Sequence, residues 1–463
     1  MNRKVDVAII GAGTAGMSAY REAKKYAEQV VLIEGGNYGT TCARVGCMPS
    51  KLLIAAAESA YAIQQAPGFG VHAASIRIDG KQVMARVKSE RDRFVGFVID
   101  SVENFPEADR IRGYARFKDA HHLEIDNGVQ VEAKSIVIAT GSSPFVPPIL
   151  SDLGERLLLN DDIFELNDLP KSVAVFGAGV IGLELGQALH HLGVKIQLFG
   201  VRHNVGGIQD PVIQEKAIEI FQSEFAFQPD ARVQSVTRVE GGVEITWLDT
   251  RDQIQSEIYE YALAAAGRRP NLAKLGLDAL GVELDQAGLP PFDSDTLQIS
   301  DLPVFLAGDV NNVMPLLHEA ADDGKIAGFN AAHYPDIKAG QRRSKLGIVF
   351  SHPQIAGIGT TYKYLDPNQI VIGQVSFENQ GRSRVMLENK GMLRVYADKA
   401  TGKFIGAEML GPRAENIAHL LAWAHQQEMS IEQMLGMPFY HPVIEEGLRT
   451  ALQDAARQLK KQK

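Results

Sequence analysis

The stretch Val5-Asp6-Val7-Ala8-Ile9-Ile10-Gly11-Ala12-Gly13-Thr14-Ala15-Gly16 decides the fold. Residues 5–10 form a short, mostly apolar run that reads as a buried strand. It ends in Gly11-x-Gly13-x-x-Gly16, and residues 17–25 continue as a helix. A second apolar strand over 30–33 ends at Glu34, roughly 20 residues after the first glycine. Glycines at this spacing let the backbone approach a pyrophosphate at the helix N-terminus, while the acid accepts ribose hydroxyls. Three glycines alone would say little. Strand, turn, helix, strand and acid in this order predict a dinucleotide-binding unit. The opening Met1-Asn2-Arg3-Lys4 has the charge of a signal peptide, but it flows directly into this unit and belongs to its first strand.

The unit recurs. Ser172-Val173-Ala174-Val175-Phe176 is a strand, Gly177-x-Gly179-x-x-Gly182 the turn, 183–191 the helix and 195–199 the next strand. Two such units imply two dinucleotides, FAD and then NAD(P). Between them, Ile136-Val137-Ile138-Ala139-Thr140-Gly141-Ser142 runs from a strand into a small-residue turn, and Pro144, Pro147 and Pro148 mark a crossing between domains. Gly267-Arg268-Arg269-Pro270-Asn271 follows, then the strand Val304-Phe305-Leu306-Ala307 ending in Gly308-Asp309. Asp309 is placed to meet a polyol hydroxyl; this fragment alone favours a helix N-cap or a turn residue. Beyond 342 there is no nucleotide motif. Strands are expected over 371–377, 392–396 and 404–409, a helix over 414–427, and a polar helical tail ending in Lys460-Lys461-Gln462-Lys463.

The chain has 463 residues, long enough for roughly two to four domains. A net charge of −9 argues against nucleic-acid binding, and no apolar run approaches the ~18 residues of a membrane span. A cytoplasmic location is expected, where paired cysteines are more often catalytic or metal-binding than structural. The sequence holds only two cysteines, both in Thr41-Cys42-Ala43-Arg44-Val45-Gly46-Cys47-Met48-Pro49-Ser50-Lys51. Such a pair reads as a dithiol that opens and closes, with electrons arriving from a flavin. Without further cysteines a zinc site is not expected, so no metal is assigned, and His121, His122, His190 and His191 have no ligand-like partners.

These pieces resemble the pyridine nucleotide–disulfide oxidoreductases and, within them, the dihydrolipoamide dehydrogenases. The resemblance spans essentially the whole chain and closes on His441-Pro442-Val443-Ile444-Glu445-Glu446. It implies an α/β fold with two Rossmann-like dinucleotide-binding domains and a C-terminal α+β dimerisation domain. The implied boundaries are 1–145 (FAD, first part), 146–272 (NAD(P)), 273–341 (FAD, second part) and 342–463 (interface). It assigns Cys42 to exchange with substrate, Cys47 to the flavin face, His441 to proton transfer and Glu446 to orienting that histidine, reaching the disulfide of the other subunit of a homodimer. Glu445 is the alternative orienter, and a satisfied surface or core histidine the alternative for His441. Cofactor contacts are implied for Gly11, Gly13, Gly16, Glu34, Thr41, Ala115, Thr140, Gly141, Gly308 and Asp309, and for Gly177, Gly179, Gly182, Gly267 and Arg268. Lys51 and Glu184 are implied to pair beside the flavin N5, where an ammonium favours electron density on the ring; taken singly, each reads as a helix-surface charge.

The chain departs from that pattern in three places. NAD-using members usually end the second strand of the second unit with an acid; here Phe199 is followed by Gly200-Val201-Arg202-His203. Arg202 suits the 2′-phosphate of NADP, or is a solvated loop residue. Thr40 stands where relatives commonly carry glycine, and Tyr440 precedes His441 where a smaller residue is common. The expected activity is dihydrolipoamide dehydrogenase, with FAD and NAD (NADP as the variant) as cofactors. The substrate is then a small or protein-bound lipoyl disulfide, with a 2-oxoacid dehydrogenase complex as a partner. The alternative is an NADPH-driven reductase of a small disulfide. Mercuric reductase and large thioredoxin reductase need additional C-terminal thiols, and no cysteine follows Cys47.

Overall fold

A computed structural model describes residues 2–461. Met1 of the first strand and Gln462 and Lys463 of the tail lie outside the described residues. The chain divides into two compact units, each assembled from three segments.

The first unit comprises 1–49, 87–145 and 267–342. Its sheet runs Arg110–Arg112, Val30–Glu34, Asn2–Ile10, Gln130–Ile138, His122–Ile125, Ala115–Phe117, with Val304–Leu306 also pairing on Gln130–Ile138. The strands from Arg110–Arg112 to Gln130–Ile138, and Val304–Leu306, pair in parallel. The apolar run at 5–10 was the signal for this sheet. Ile9, Leu32 and Ile33 are fully buried in it, each stabilising the unit by about 1.5–3 kcal/mol relative to exposure. The helices Thr14–Ala23 and Leu317–His333 meet through glycine: a Cβ on Gly324 would lie 2.2 Å from Ala15 O, and one on Gly328 2.4 Å from Ala19 O.

The second unit comprises 50–86, 146–266 and 343–463. One parallel sheet runs Ala226–Gln228, Lys195–Phe199, Ser172–Phe176, Tyr261–Ala264, Leu157–Leu158. An antiparallel sheet of five strands runs Leu346–Val349, Gln354–Gly359, Phe404–Gly411, Met392–Asp398, Ile370–Ser376, packed by Ala414–Gln426 and Glu446–Lys460. The strand expected over 371–377 stops at Ser376 because Phe377 turns into the core, filling the space a side chain on Gly411 or Gly447 would take. A buried polar knot joins this sheet to the helix Pro211–Gln222. Asp210 caps that helix and takes Arg394 Nη1 on both carboxylate oxygens (2.6 and 2.7 Å), while the Tyr396 hydroxyl reaches Asp210 (2.8 Å) and Glu408 (3.3 Å).

Candidate active site

The two glycine turns are built alike. Gly11 and Gly177 have φ of 107° and 115°, and a Cβ on Gly16 or Gly182 would sit 1.8 Å from the Gly11 or Gly177 carbonyl oxygen. Gly13 and Gly179 open onto free space and start the helices Thr14–Ala23 and Val180–His191 with no side-chain cap. Each turn thus leaves first-turn N–H groups for an anion and room for it to approach, which fits a dinucleotide pyrophosphate. Glu34 stays at its turn, accepting from Ala12 N (2.8 Å) and Gly36 N (2.7 Å).

Gly308, at φ 80°, abuts Ala15 and brings Asp309 to the first turn. Of the two readings the fragment allowed, helix N-cap and turn residue, Asp309 is the turn residue, opening the short turn Asp309–Asn311 after Gly308. Its carboxylate accepts from Ser142 Oγ (3.2 Å), and Ser142 is gripped by Arg268 through Nε to its hydroxyl (2.8 Å) and Nη2 to its carbonyl (2.6 Å). Burial raises the Asp309 carboxyl above its ordinary range, against the pull of Arg268. Thr140 and Asn271 exchange two hydrogen bonds (2.9 and 3.0 Å) beside Gly141, and Gly267 O accepts from Phe145 N (2.9 Å). Ala115 is buried in its strand, while the preceding Tyr114 lays its ring over Gly35. Asp323, which the sequence reading missed, supports this region by accepting from Gly308 N (3.1 Å), Asn311 Nδ2 (2.7 Å) and Arg342 Nη1 (2.8 Å).

In the second unit the missing acid has a steric cause. A Cβ on Gly200 would lie 3.1 Å from both Ala178 Cβ and Pro229 O, and 3.2 Å from the Phe227 ring. His203 is taken up by Asp230, which accepts from its backbone N–H (2.8 Å) and pairs with its ring. Arg202 is exposed and, among the described residues, has no partner.

The cysteine segment folds as a short helix, Thr41–Val45, a kink at Gly46, and a long helix opening at Cys47 (Cys47–Gln65). Gly46 folds back so closely that a Cβ there would lie 3.0 Å from Thr41 O and 3.3 Å from Cys42 Cα. Cys42 lies before the kink and is partly exposed; Cys47 lies after it and is exposed. Thr40 starts the short helix at φ 58°, ψ 152°, a region nearly reserved for glycine, and its hydroxyl accepts from Ala43 N (3.2 Å). Thr41 is exposed at the first position.

Lys51 lies one turn beyond Cys47 on the long helix. Its ammonium donates to Glu184 Oε2 (2.7 Å) and sits 4.5 Å from the Phe350 ring centroid. The other Glu184 oxygen accepts from Phe350 N (2.9 Å), and Glu184 is buried. That burial excludes the surface-charge reading for Glu184, while the Lys51 side chain stays one-third exposed. Near the C-terminus, His441 Nδ1 faces both oxygens of Glu446 (3.0 and 3.1 Å), so Glu446 rather than Glu445 orients the ring. That hydrogen bond holds the Glu446 carboxyl below its ordinary value. The His441 side chain is 80% exposed in the single chain. Tyr440 is exposed as well.

The family model for pyridine nucleotide-disulphide oxidoreductases matches residues 5–324, and the model for the dimerisation domain of the same family matches 346–452. The chain belongs to that family. It is 27% identical over 459 residues to the dihydrolipoyl dehydrogenase of Geobacillus stearothermophilus, covering 96% of this chain and 94% of the relative. It is 29% identical to a mercuric reductase of Lysinibacillus sphaericus, covering 96% of this chain and 82% of that one. Among solved structures, LpdA of Mycobacterium tuberculosis superposes with a TM-score of 0.81 at 24% identity, covering 98% and 100% of the two chains. The HOCl-induced flavoprotein disulfide reductase RclA of Escherichia coli gives 0.80 at 22%, covering 97% and 99%.

A pyridine nucleotide-disulphide oxidoreductase uses FAD and NAD(P), and the two uncapped turns fit that pair. Among the described residues no group of acidic, histidine or cysteine side chains is placed to hold a metal ion, and no helix is long and apolar enough to cross a membrane. Of His121, His122, His190 and His191, two do pair with a carboxylate, His122 with Asp119 on the surface and buried His191 with the half-buried Glu224. For His191 the sequence context, His190-His191 at a helix end, carries no hint of an acid 33 residues away.

Proposed function

We propose that the protein is a dithiol dehydrogenase acting on dihydrolipoyl groups through Cys42 and Cys47. The observation that carries this reading is the Glu446-held His441 together with the kinked Cys42–Cys47 segment. An ionised Glu446 can only accept, so Nδ1 carries the ring proton and Nε2 is left to take one. The substrate dithiol reduces the Cys42–Cys47 disulfide by exchange: a substrate thiolate attacks Cys42, the mixed disulfide is displaced by the second substrate thiolate, and His441 receives the released proton. Two electrons and two protons leave the substrate as its disulfide closes. Bound flavin supplies the two-electron carrier between the Cys47 side and the nicotinamide. Lys51, held by Glu184, offers positive charge to that carrier, and Asp309 and Glu34 offer carboxylates to its hydroxyls.

The exposure of His441 in the single chain supports a homodimer in which the partner covers it. A lipoyl substrate would also bring the dimer to a 2-oxoacid dehydrogenase complex. A second reading, an NADPH-driven reductase of a small disulfide, is favoured by unpartnered Arg202 and the crowded Gly200. Anaerobic titration of the holoenzyme with dihydrolipoamide, followed by NAD or NADP, tests both. Reduction followed by reoxidation with NAD supports the dehydrogenase. No reduction by dihydrolipoamide, with ready reduction by NADPH, overturns it in favour of the second reading.

A further inference from the structure

Behind the Lys51–Glu184 pair, one face of the helix Val180–His191 carries three polar residues, Glu184, Gln187 and His191, at helical spacing and 4, 3 and 5% exposed. A polar stripe on a buried helix face is costly unless every group is bonded. Here the bonding is directed at one target. Gln187 Oε1 accepts from His352 N (2.7 Å), and Gln187 Nε2 donates back to His352 O (2.7 Å). The second Nε2 proton goes to Glu224 (3.0 Å), whose carboxylate is fixed in turn by His191. Tyr61 stacks on His191 at 4.3 Å and lies 4.7 Å from His352, closing the cluster.

His352 belongs to the turn that begins at Phe350. That residue supplies both the N–H that fixes Glu184 and the ring under the Lys51 ammonium. We infer that Gln187 is a positioning residue for Lys51, acting through the Phe350–His352 turn. A two-point amide clamp fixes the turn more sharply than a single bond, because it restrains rotation as well as distance. Glu224 and His191 fix the clamp itself. The inference rests on the proposed placement of Lys51 beside the flavin, where its charge stabilises the reduced ring.

The test is the flavin midpoint potential of the holoenzyme, with amide exchange at Phe350 and His352 as a readout on the chain itself. Gln187→Met keeps the volume and removes the clamp. It is expected to speed exchange at both amides by about tenfold, the loss of one to two hydrogen bonds. It should also lower the potential by up to about 30 mV, the two-electron equivalent of tenfold. Gln187→Leu is a second variant without the clamp, and amide exchange, which needs no bound flavin, serves if neither variant holds it. Lys51→Met gives the limit. A lowered potential in Lys51→Met with parental values in the Gln187 variants overturns the inference alone. A parental potential in Lys51→Met overturns the flavin reading of Lys51 and the inference with it. If Gln187→Met lowers the potential as much in the Lys51→Met background as in the parent, Gln187 does not act through Lys51.

Discussion

Glu446 and His441 are joined by both carboxylate oxygens on one ring nitrogen, at 3.0 and 3.1 Å, and the same carboxylate accepts from Val443 N at 3.2 Å. The acid is therefore fixed by backbone before it fixes the ring. His441→Gln is expected to slow dithiol exchange by on the order of 10²–10⁴. Glu446→Gln, whose amide can donate as well as accept, should cost about 10–10²-fold. Stopped-flow reduction by dihydrolipoamide measures both. Equal and negligible effects would remove the pair from the chemistry.

Cys42→Ser should abolish lipoamide turnover yet leave flavin reduction by the nicotinamide coenzyme intact, since the exchange thiol is lost and the flavin path is not. Cys47→Ser should remove the long-wavelength thiolate–flavin absorbance on reduction. Anaerobic spectra of the two variants separate these roles, and an identical loss in both would mean that the thiols are not differentiated.

Thr40 stores strain at the entrance to the cysteine helix, of order 1–3 kcal/mol for a side chain in this backbone region. Its bond to Ala43 N returns part of that, since a glycine N-cap is only a few tenths worse than threonine. Glycine also gives the unfolded chain more freedom. Thr40→Gly should still stabilise the segment by about 1 kcal/mol, slowing amide exchange over 41–45 about fivefold. Faster exchange would show the hydroxyl to be worth more than the strain.

Arg202→Ala should raise KM for NADPH at least about tenfold, the value of a lost charge-assisted contact, while leaving NADH within about twofold. On the NADPH reading, Gly200→Glu should not by itself create NAD preference, because Ala178 Cβ and Pro229 O, both 3.1 Å from its Cβ, must first give way. Coenzyme kinetics on the two variants decide this, and a selective loss of NADH in Arg202→Ala would reverse the assignment.

Burial holds His352 neutral, its pKa brought down to about 4 from 6.5. Between those values the unfolded chain binds a proton that the native chain does not. This contribution to stability therefore rises with pH, by about 1.4 kcal/mol per unit, and is lost as pH falls from 6.5 towards 4. The difference in urea stability between parent and His352→Asn should show that slope. A difference independent of pH would mean that His352 is charged or solvated in the native state.

The turns, the cysteine pair and the His441–Glu446 pair were legible in the sequence because their chemistry needs residues at short, fixed spacing. What stayed hidden is assembled from distant segments. Asp230 reaches His203 from 27 residues away and leaves Arg202 alone to face an anion there. Gln187 meets the His352 backbone across 165 residues, and mid-helix glutamine carries no signal of such a role. The fragment Gly308-Asp309 shows a turn residue but cannot show that Ser142 and Arg268 meet Asp309 there. The crowding at Gly200 is likewise invisible until Ala178 and Pro229 are brought to it.

The knot of Asp210, Arg394, Tyr396 and Glu408 has a mechanical consequence. One phenolic proton faces two carboxylates, and burial pushes the Glu408 carboxyl above its ordinary range, so the knot holds only with all four groups in register. Tilting the helix Pro211–Gln222 away from the antiparallel sheet would strand the fully buried Asp210 carboxylate at a cost of about 3–5 kcal/mol. At that cost fewer than about one molecule in a hundred is open at any moment. This seam is a weld and not a hinge, so the helix Pro211–Gln222 and the antiparallel sheet move as one piece.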